Sequence, residues 1–286
     1  MTHFLSKVPK LTLALLMLIL TACGTQQNAD STSEIQKKTQ WVNNSFSNMK
    51  LDDNSLRKNY AYINDPTGLS GVKKVHEFKL DGVCTHGSYS DYSDCFQNSV
   101  RTELYEDVYE RKTYGLGQPN ESWYSWKIYV PSDFDQQSNN GRLIIGQFKS
   151  EWCPHVTFDL WSKRYDRNPN ILNFTLNKIT SWEMDDLKKG DDCKPAYEQK
   201  VADLREMKGK WTSFELHAKW SKTNEGFFNV YVNGDLKVEY EGPTQLIGTK
   251  LNYFKFGMYN CCNYEFKPML GTIYFTPPIR SRTRVQ

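Results

Sequence analysis

The stretch FFNVYVNGDLKVEY, residues 227–240, decides the fold. Phe228, Val230 and Val232 occupy every second position, then Asn233-Gly234 interrupts, and a second alternating run follows. A period of two sends successive side chains to opposite faces of a strand. Asn-Gly tolerates the positive φ angles of a tight hairpin, so the stretch predicts two antiparallel strands joined by a two-residue turn.

The same period recurs outward from this hairpin. In WYSWKIYV (123–130), Tyr124, Trp126, Ile128 and Val130 share one face. In ILNFTL (171–176), Leu172, Phe174 and Leu176 do so, and in FELHAKW (214–220), Phe214, Leu216, Ala218 and Trp220. GTIYF (271–275) reads as a last strand before Pro277-Pro278. Residues 196–208 suggest a helix, with Tyr197, Val201 and Leu204 on one stripe and Gly209 just past the end. Many short strands separated by turns imply an all-β protein, a β-sandwich of jelly-roll, concanavalin-like type with one or two short helices.

The N-terminus reads as an export signal over residues 1–22. A basic segment carrying Lys7 and Lys10 precedes LTLALLMLIL, an apolar run too short to span a bilayer comfortably. It ends in LTAC, Leu20–Cys23, which resembles a bacterial lipoprotein signal box. That resemblance implies lipidation of Cys23 and anchoring in the cell envelope; Gly24 in the next position points to the outer membrane. Residues 23–56 are polar and poor in apolar side chains, which predicts a flexible tether. The folded domain is expected over 57–286.

The chain of 286 residues carries 36 basic and 33 acidic side chains. Affinity for an acidic partner must therefore come from a local basic cleft rather than from global charge. No nucleic-acid partner is expected, and the protein reads as a monomer whose membrane contact is the lipid anchor alone. Export permits disulfides. Besides Cys23 there are six candidates, Cys84, Cys95, Cys153, Cys193, Cys261 and Cys262, whose pairing the sequence leaves open among 15 arrangements. Cys84 with Cys95 is the natural local pair, and Cys153 with Cys193 a second. The cysteines lack Cys-x-x-Cys spacing and only five histidines are present, so no metal is expected. No phosphate loop or nucleophile elbow appears, and no cofactor is expected.

Three further strands carry chemistry. RTELYE (101–106) puts Arg101 and Glu103 on one side, with Thr102 and Leu104 on the other. IIGQFKS (144–150) puts Gln147 and Lys149 together, with Phe148 opposite. YFKFGMYN (253–260) puts Phe254, Phe256 and Met258 on an apolar face. Tyr253, Lys255 and Tyr259 take the other face, with Gly257 read as a gap that leaves room for a sugar ring.

RTEL, Q-F-K and YFKFGMYN, in that order, resemble the motif strands of jelly-roll polysaccharide lyases. These are the alginate lyases and the related glucuronan and heparin-lyase-I-like enzymes. The resemblance spans most of residues 75–275. It implies β-elimination on a uronic-acid polymer without a cofactor. Arg101 and Gln147 match the residues that neutralise the uronate carboxylate, and Tyr259 matches the catalytic tyrosine. Lys149, Lys255, Glu103 and Tyr253 are expected to bind substrate, with Glu103 orienting a neighbouring cation. A free phenol has a pKa of about 10 and is a poor base at neutral pH; cations from Arg101, Lys149 and Lys255 would favour its phenolate.

One departure stands out. Lys149 occupies the position of a histidine in the alginate lyase pattern. The base is then either Tyr259 acting alone or a histidine from elsewhere. His86, in the loop CTHGSYSDYSDC (84–95), is the candidate, ahead of His155; His76 and His217 read as structural. Two other functions are compatible with the fold. One is a lectin-like carbohydrate-binding module. The other is a glycoside hydrolase using Glu183 and Asp185 of WEMDD (182–186).

Overall fold

The computed structural model describes residues 41–43, 59–81, 99–106, 120–136, 139–149, 154–179, 193–246, 252–261 and 269–284. Within them the chain forms β1 (Trp41–Asn43), β2 (Tyr60–Asn64), β3 (Lys74–Asp81), β4 (Val100–Glu106) and β5 (Glu121–Tyr129). Then come β6 (Arg142–Lys149), β7 (Pro154–Trp161), β8 (Ile171–Ile179), β9 (Cys193–Asp203) and β10 (Trp211–Lys219). The last five are β11 (Phe227–Val232), β12 (Asp235–Glu241), β13 (Tyr253–Cys261), β14 (Leu270–Phe275) and β15 (Ile279–Ser281). A four-residue helix, α1 (Leu204–Met207), and a 3-10 turn at Lys163–Tyr165 lie between strands.

The strands make two antiparallel sheets. One runs β1-β4-β13-β6-β7-β8-β9; the other runs β12-β11-β10-β5-β14-β3-β2, with β15 also pairing β5. Their inner faces carry the alternating apolar residues, and aromatic rings meet across the gap. Phe256 lies 5.5 Å from Phe78, Phe158 5.6 Å from Trp126, Phe148 4.8 Å from Tyr124 and Phe174 5.5 Å from Phe228, all near edge-to-face. Burying a phenyl ring stabilises by about 1.5–3 kcal/mol, and such ring pairs add about 0.5–1.5 kcal/mol each. This is the expected β-sandwich jelly roll.

The hairpin forms as expected: β11 and β12 are joined by Asn233 (φ 51°) and Gly234 (φ 87°), both in the left-handed region. The helix expected over 196–208 does not form. Cys193–Asp203 is strand β9, at the end of its sheet and paired with β8, and only Leu204–Met207 is helical. Tyr197 and Val201 are four residues apart, which satisfies a strand as well as a helix. Pairing with β8 settles the ambiguity, and Pro195 is tolerated because an edge strand can spare an N–H. Gly209 does take the left-handed conformation just beyond α1, with φ 75°. Trp41–Asn43, inside the span read as tether, pairs with Leu104–Glu106 of β4; three residues are too few for a period to show.

Candidate active site

Register places the three motif strands side by side. In β4-β13-β6, Arg101 lies opposite Tyr259, Glu103 opposite Gly257, and Gln147 opposite Lys255, with Lys149 opposite Tyr253. The inner face takes Leu104, Phe254, Phe256, Met258 and Phe148. Arg101, Glu103, Tyr253, Lys255, Tyr259, Gln147 and Lys149 therefore share the outer face of the seven-stranded sheet.

Alternation alone would not put Gln147 and Lys149 there. Leu143 and Ile145 face the core, and so does Phe148, which is out of step with them. The register between β6 and β7 slips between Ile144 and Gly146. Ile145 and Gly146 consequently both point inward; a Cβ on Gly146 would touch Phe254 and Phe158 at 3.5–3.6 Å. This one-residue bulge re-aims the rest of β6.

Glu103 is the centre of the cluster. Its Oε1 accepts from Gln147 Nε2 at 2.8 Å. Its Oε2 lies 2.9 Å from Lys255 Nζ and 3.6 Å from Arg101 Nη1. Burial alone would raise the Glu103 pKa, but the Lys255 ammonium and the Arg101 guanidinium outweigh it and hold the carboxyl below its ordinary value. The Arg101 guanidinium carbon stands 4.0 Å from the centre of the Tyr259 ring. Arg101 keeps some solvent contact, whereas Glu103 and Lys255 are each 1% exposed.

Two expectations for β13 are corrected. Lys255 is on the polar face but lies beneath its surface, ion-paired with Glu103. Gly257 leaves no room for a sugar. A Cβ there would come within 2.3 Å of the Thr102 carbonyl oxygen, 2.8 Å of Glu103 Cα and 3.0 Å of Phe78 Cδ1. With φ at 134°, it lets β13 lie directly against β4.

The polar face continues onto β7 and β8 with residues the motif strands did not announce. Arg142 donates to Thr157 Oγ1 at 2.6 Å and pairs with Asp159, to whose Oδ2 Thr157 also donates at 2.6 Å. Thr175 and Asn173 lie opposite Thr157 and Asp159. The signal for these was the alternation in HVTFDLW and ILNFTL: the residues between the apolar ones form the next columns of the same face.

Of the histidines, His76 is buried with Nδ1 2.9 Å from the Tyr60 hydroxyl. His155 is buried and accepts from the Leu246 amide at 3.0 Å. His217 stacks on Trp123 at 4.1 Å on the outer face of the other sheet. None of the three joins the cluster. Cys193 opens β9 and the buried Cys261 closes β13. His86, Cys23, Cys84, Cys95, Cys153, Cys262, Glu183 and Asp185 lie outside the described residues.

Among solved structures, the endo-β-1,4-glucuronan lyase from the fungus Trichoderma reesei is similar, with a TM-score of 0.56 and 12% identity over 87% of this chain and 90% of that one. This likeness bears on the fold. Alginate lyase AlgAT5 of polysaccharide lyase family 7 gives a TM-score of 0.49 and 15% identity over 87% of this chain and 97% of that one. No curated protein sequence matches the chain. A polysaccharide lyase family model matches residues 38–275, and the chain belongs to that family.

Proposed function

We propose that this polysaccharide lyase cleaves a uronic-acid-containing polymer of alginate, glucuronan or glycosaminoglycan type by β-elimination on the outer face of the seven-stranded sheet. The observation that carries the reading is the buried Glu103, which gathers Arg101, Gln147 and Lys255 beside Tyr259. It sets two cations, with the Lys149 amine nearby, around one carboxylate, in a chain whose overall charge is close to balance.

The chemistry requires such a group. The proton at C5 of a uronate is barely acidic while the adjacent carboxylate is ionised. Neutralising that carboxylate stabilises the enolate that forms when the proton leaves. The Arg101 guanidinium supplies planar paired donors. Gln147 spends one amide N–H on Glu103 and has a second to give. Tyr259 delivers a proton to the glycosidic oxygen as the bond at C4 breaks. Glu103 and Lys255 lie beneath this surface and position it.

Incubation with alginate, polymannuronate, glucuronan and heparin tests the reading, followed by ultraviolet absorbance of the unsaturated uronate product. Release of that product from at least one polymer is expected; no product from any of them, with binding retained, overturns the lyase chemistry. Tyr259→Phe should abolish turnover and leave binding nearly intact. The leader and Cys23 support a lipid-anchored envelope enzyme, which Cys23→Ala should convert to a soluble form.

A further inference from the structure

Lys149 is the last residue of β6, two beyond Gln147 on the outer face, with Tyr253 opposite it on β13. The charged and titratable groups facing it are those of the cluster. From β13 come Lys255 and Tyr253, and from β4 come Arg101, Glu103 and Tyr105, whose ring lies 6.1 Å from that of Tyr253. On β7 its partner is Pro154, and His155 beyond it turns to the Leu246 amide. Two cations against one carboxylate leave a positive surrounding for a half-buried amine. Burial, then Lys255 and Arg101, bring Lys149 down to about 7, with Glu103 opposing. About half of its population is then uncharged at neutral pH, whereas an ordinary lysine with a pKa of about 10.4 is almost wholly protonated.

We propose that Lys149 is the general base that takes the C5 proton, with Tyr259 as the separate acid; this rests on the lyase reading above. Among the described residues, the carboxylates that β4 and β7 bring to this face are buried and paired, and the histidines lie away from it. Glu103 is buried, accepts from Gln147 and is paired with Lys255. Asp159 is buried and held by Arg142 and Thr157. His76, His155 and His217 are placed elsewhere.

The step balances. The neutral Nζ of Lys149 accepts the C5 proton and becomes an ammonium. The C5–H electron pair forms the C4–C5 double bond through an enolate on the carboxylate held by Arg101 and Gln147. The bond from C4 to the glycosidic oxygen breaks, and that oxygen takes the Tyr259 phenol proton. Tyr259 then regains a proton from solvent, and Lys149, still in contact with water, releases its own.

The test measures kcat/KM from about pH 5 to about pH 9 for the unaltered protein, Lys149→Arg and Lys149→His on the best polymer, with thermal melts and polymer binding for each. The unaltered enzyme should gain about tenfold per pH unit on the acid side, levelling near pH 7. Lys149→Arg, permanently charged, should lose about 100-fold or more with binding little changed. Lys149→His should retain activity, with its acid limb moved to the imidazole ionisation near 6.5. If Lys149→Arg turns over normally, or the acid limb is absent from the unaltered enzyme, Lys149 is not the base although the lyase reading stands. If Lys149→Arg does not fold, the acid limb and the histidine variant decide alone. Absence of product from the unaltered enzyme on every polymer overturns the lyase reading and the base with it.

Discussion

The Nζ of Lys255 stands 2.9 Å from Oε2 of Glu103, with both side chains 1% exposed. Two opposite charges that far from water depend on each other. Removing one partner strands the other, at about 3–5 kcal/mol. Glu103→Ala should therefore destabilise the protein by that amount and also release Arg101 and Gln147, with turnover falling further than stability accounts for. The double variant Glu103→Ala with Lys255→Met should cost less than the two single changes added together. Urea unfolding of the four proteins checks this, and strict additivity would rule out the coupling.

Arg101→Lys keeps the charge and discards the planar fork and its stacking on Tyr259. A charge-assisted hydrogen bond is worth about 1.5–3 kcal/mol. We expect kcat/KM to drop by about tenfold to a hundredfold while the melting temperature stays close to the original. Steady-state kinetics on the active polymer would show it; an unchanged rate would mean that charge alone suffices.

Gly257 and Gly146 predict opposite outcomes for the same change. At 257 a methyl group meets the Thr102 carbonyl at 2.3 Å in a backbone conformation that favours glycine. At 146 it meets rings at ordinary contact distance, 3.5 Å or more. Gly257→Ala should cost at least about 1–3 kcal/mol and displace Tyr259 enough to suppress turnover. Gly146→Ala should be tolerated in both respects. Paired melts and rates decide, and equal effects at the two sites would contradict the geometry.

His76 makes stability depend on pH. Burial lowers its pKa from 6.5 to about 4. The folded state therefore resists a proton that the unfolded chain accepts. Its contribution is complete above pH 6.5 and is lost as pH falls from there to about 4, amounting to about 3 kcal/mol. Below that window the loss from this residue stops, while Glu103, held low by its cations, loses its own contribution as pH falls from its ordinary value of 4.5. His76→Phe, placed among the rings of Tyr60, Tyr62 and Phe78, should flatten the dependence of melting temperature on pH between those limits.

Much of this was legible in the sequence because a strand has only two faces. Parity in RTEL and YFKFGMYN assigns Arg101, Glu103, Lys255 and Tyr259 to one side, and register keeps them together. Depth was not legible: nothing in the order of residues says that Glu103 would draw Lys255 below the surface while Arg101 stays above. The use of Gly257 was misread for a related reason, since a missing side chain can accommodate a ligand or a neighbouring backbone. Thr157 and Asp159 escaped notice because their strand carries no motif, and Arg142 because it stands at the start of β6, ahead of the motif residues. The end of β9 was mistaken for a helix because its apolar spacing suits both periods, and its pairing with β8 leaves no mark on that spacing.

The doubled inward step at Ile145–Gly146 has a consequence for how such a site could be lost. Every side chain of the chemistry, and the length of the chain, can be retained while β6 loses its bulge. A β6 that ran straight through this point would set Leu143 and Ile145 at odds with Phe148 over which side enters the core. If Leu143 and Ile145 prevail, Gln147 and Lys149 are turned inward with no change in the composition of the active site. A relative whose β6 runs straight at this length would retain the scaffold and forfeit the reaction, so the distance between an enzyme and an inert sugar-binding cousin on this fold is counted in phase before it is counted in substitutions.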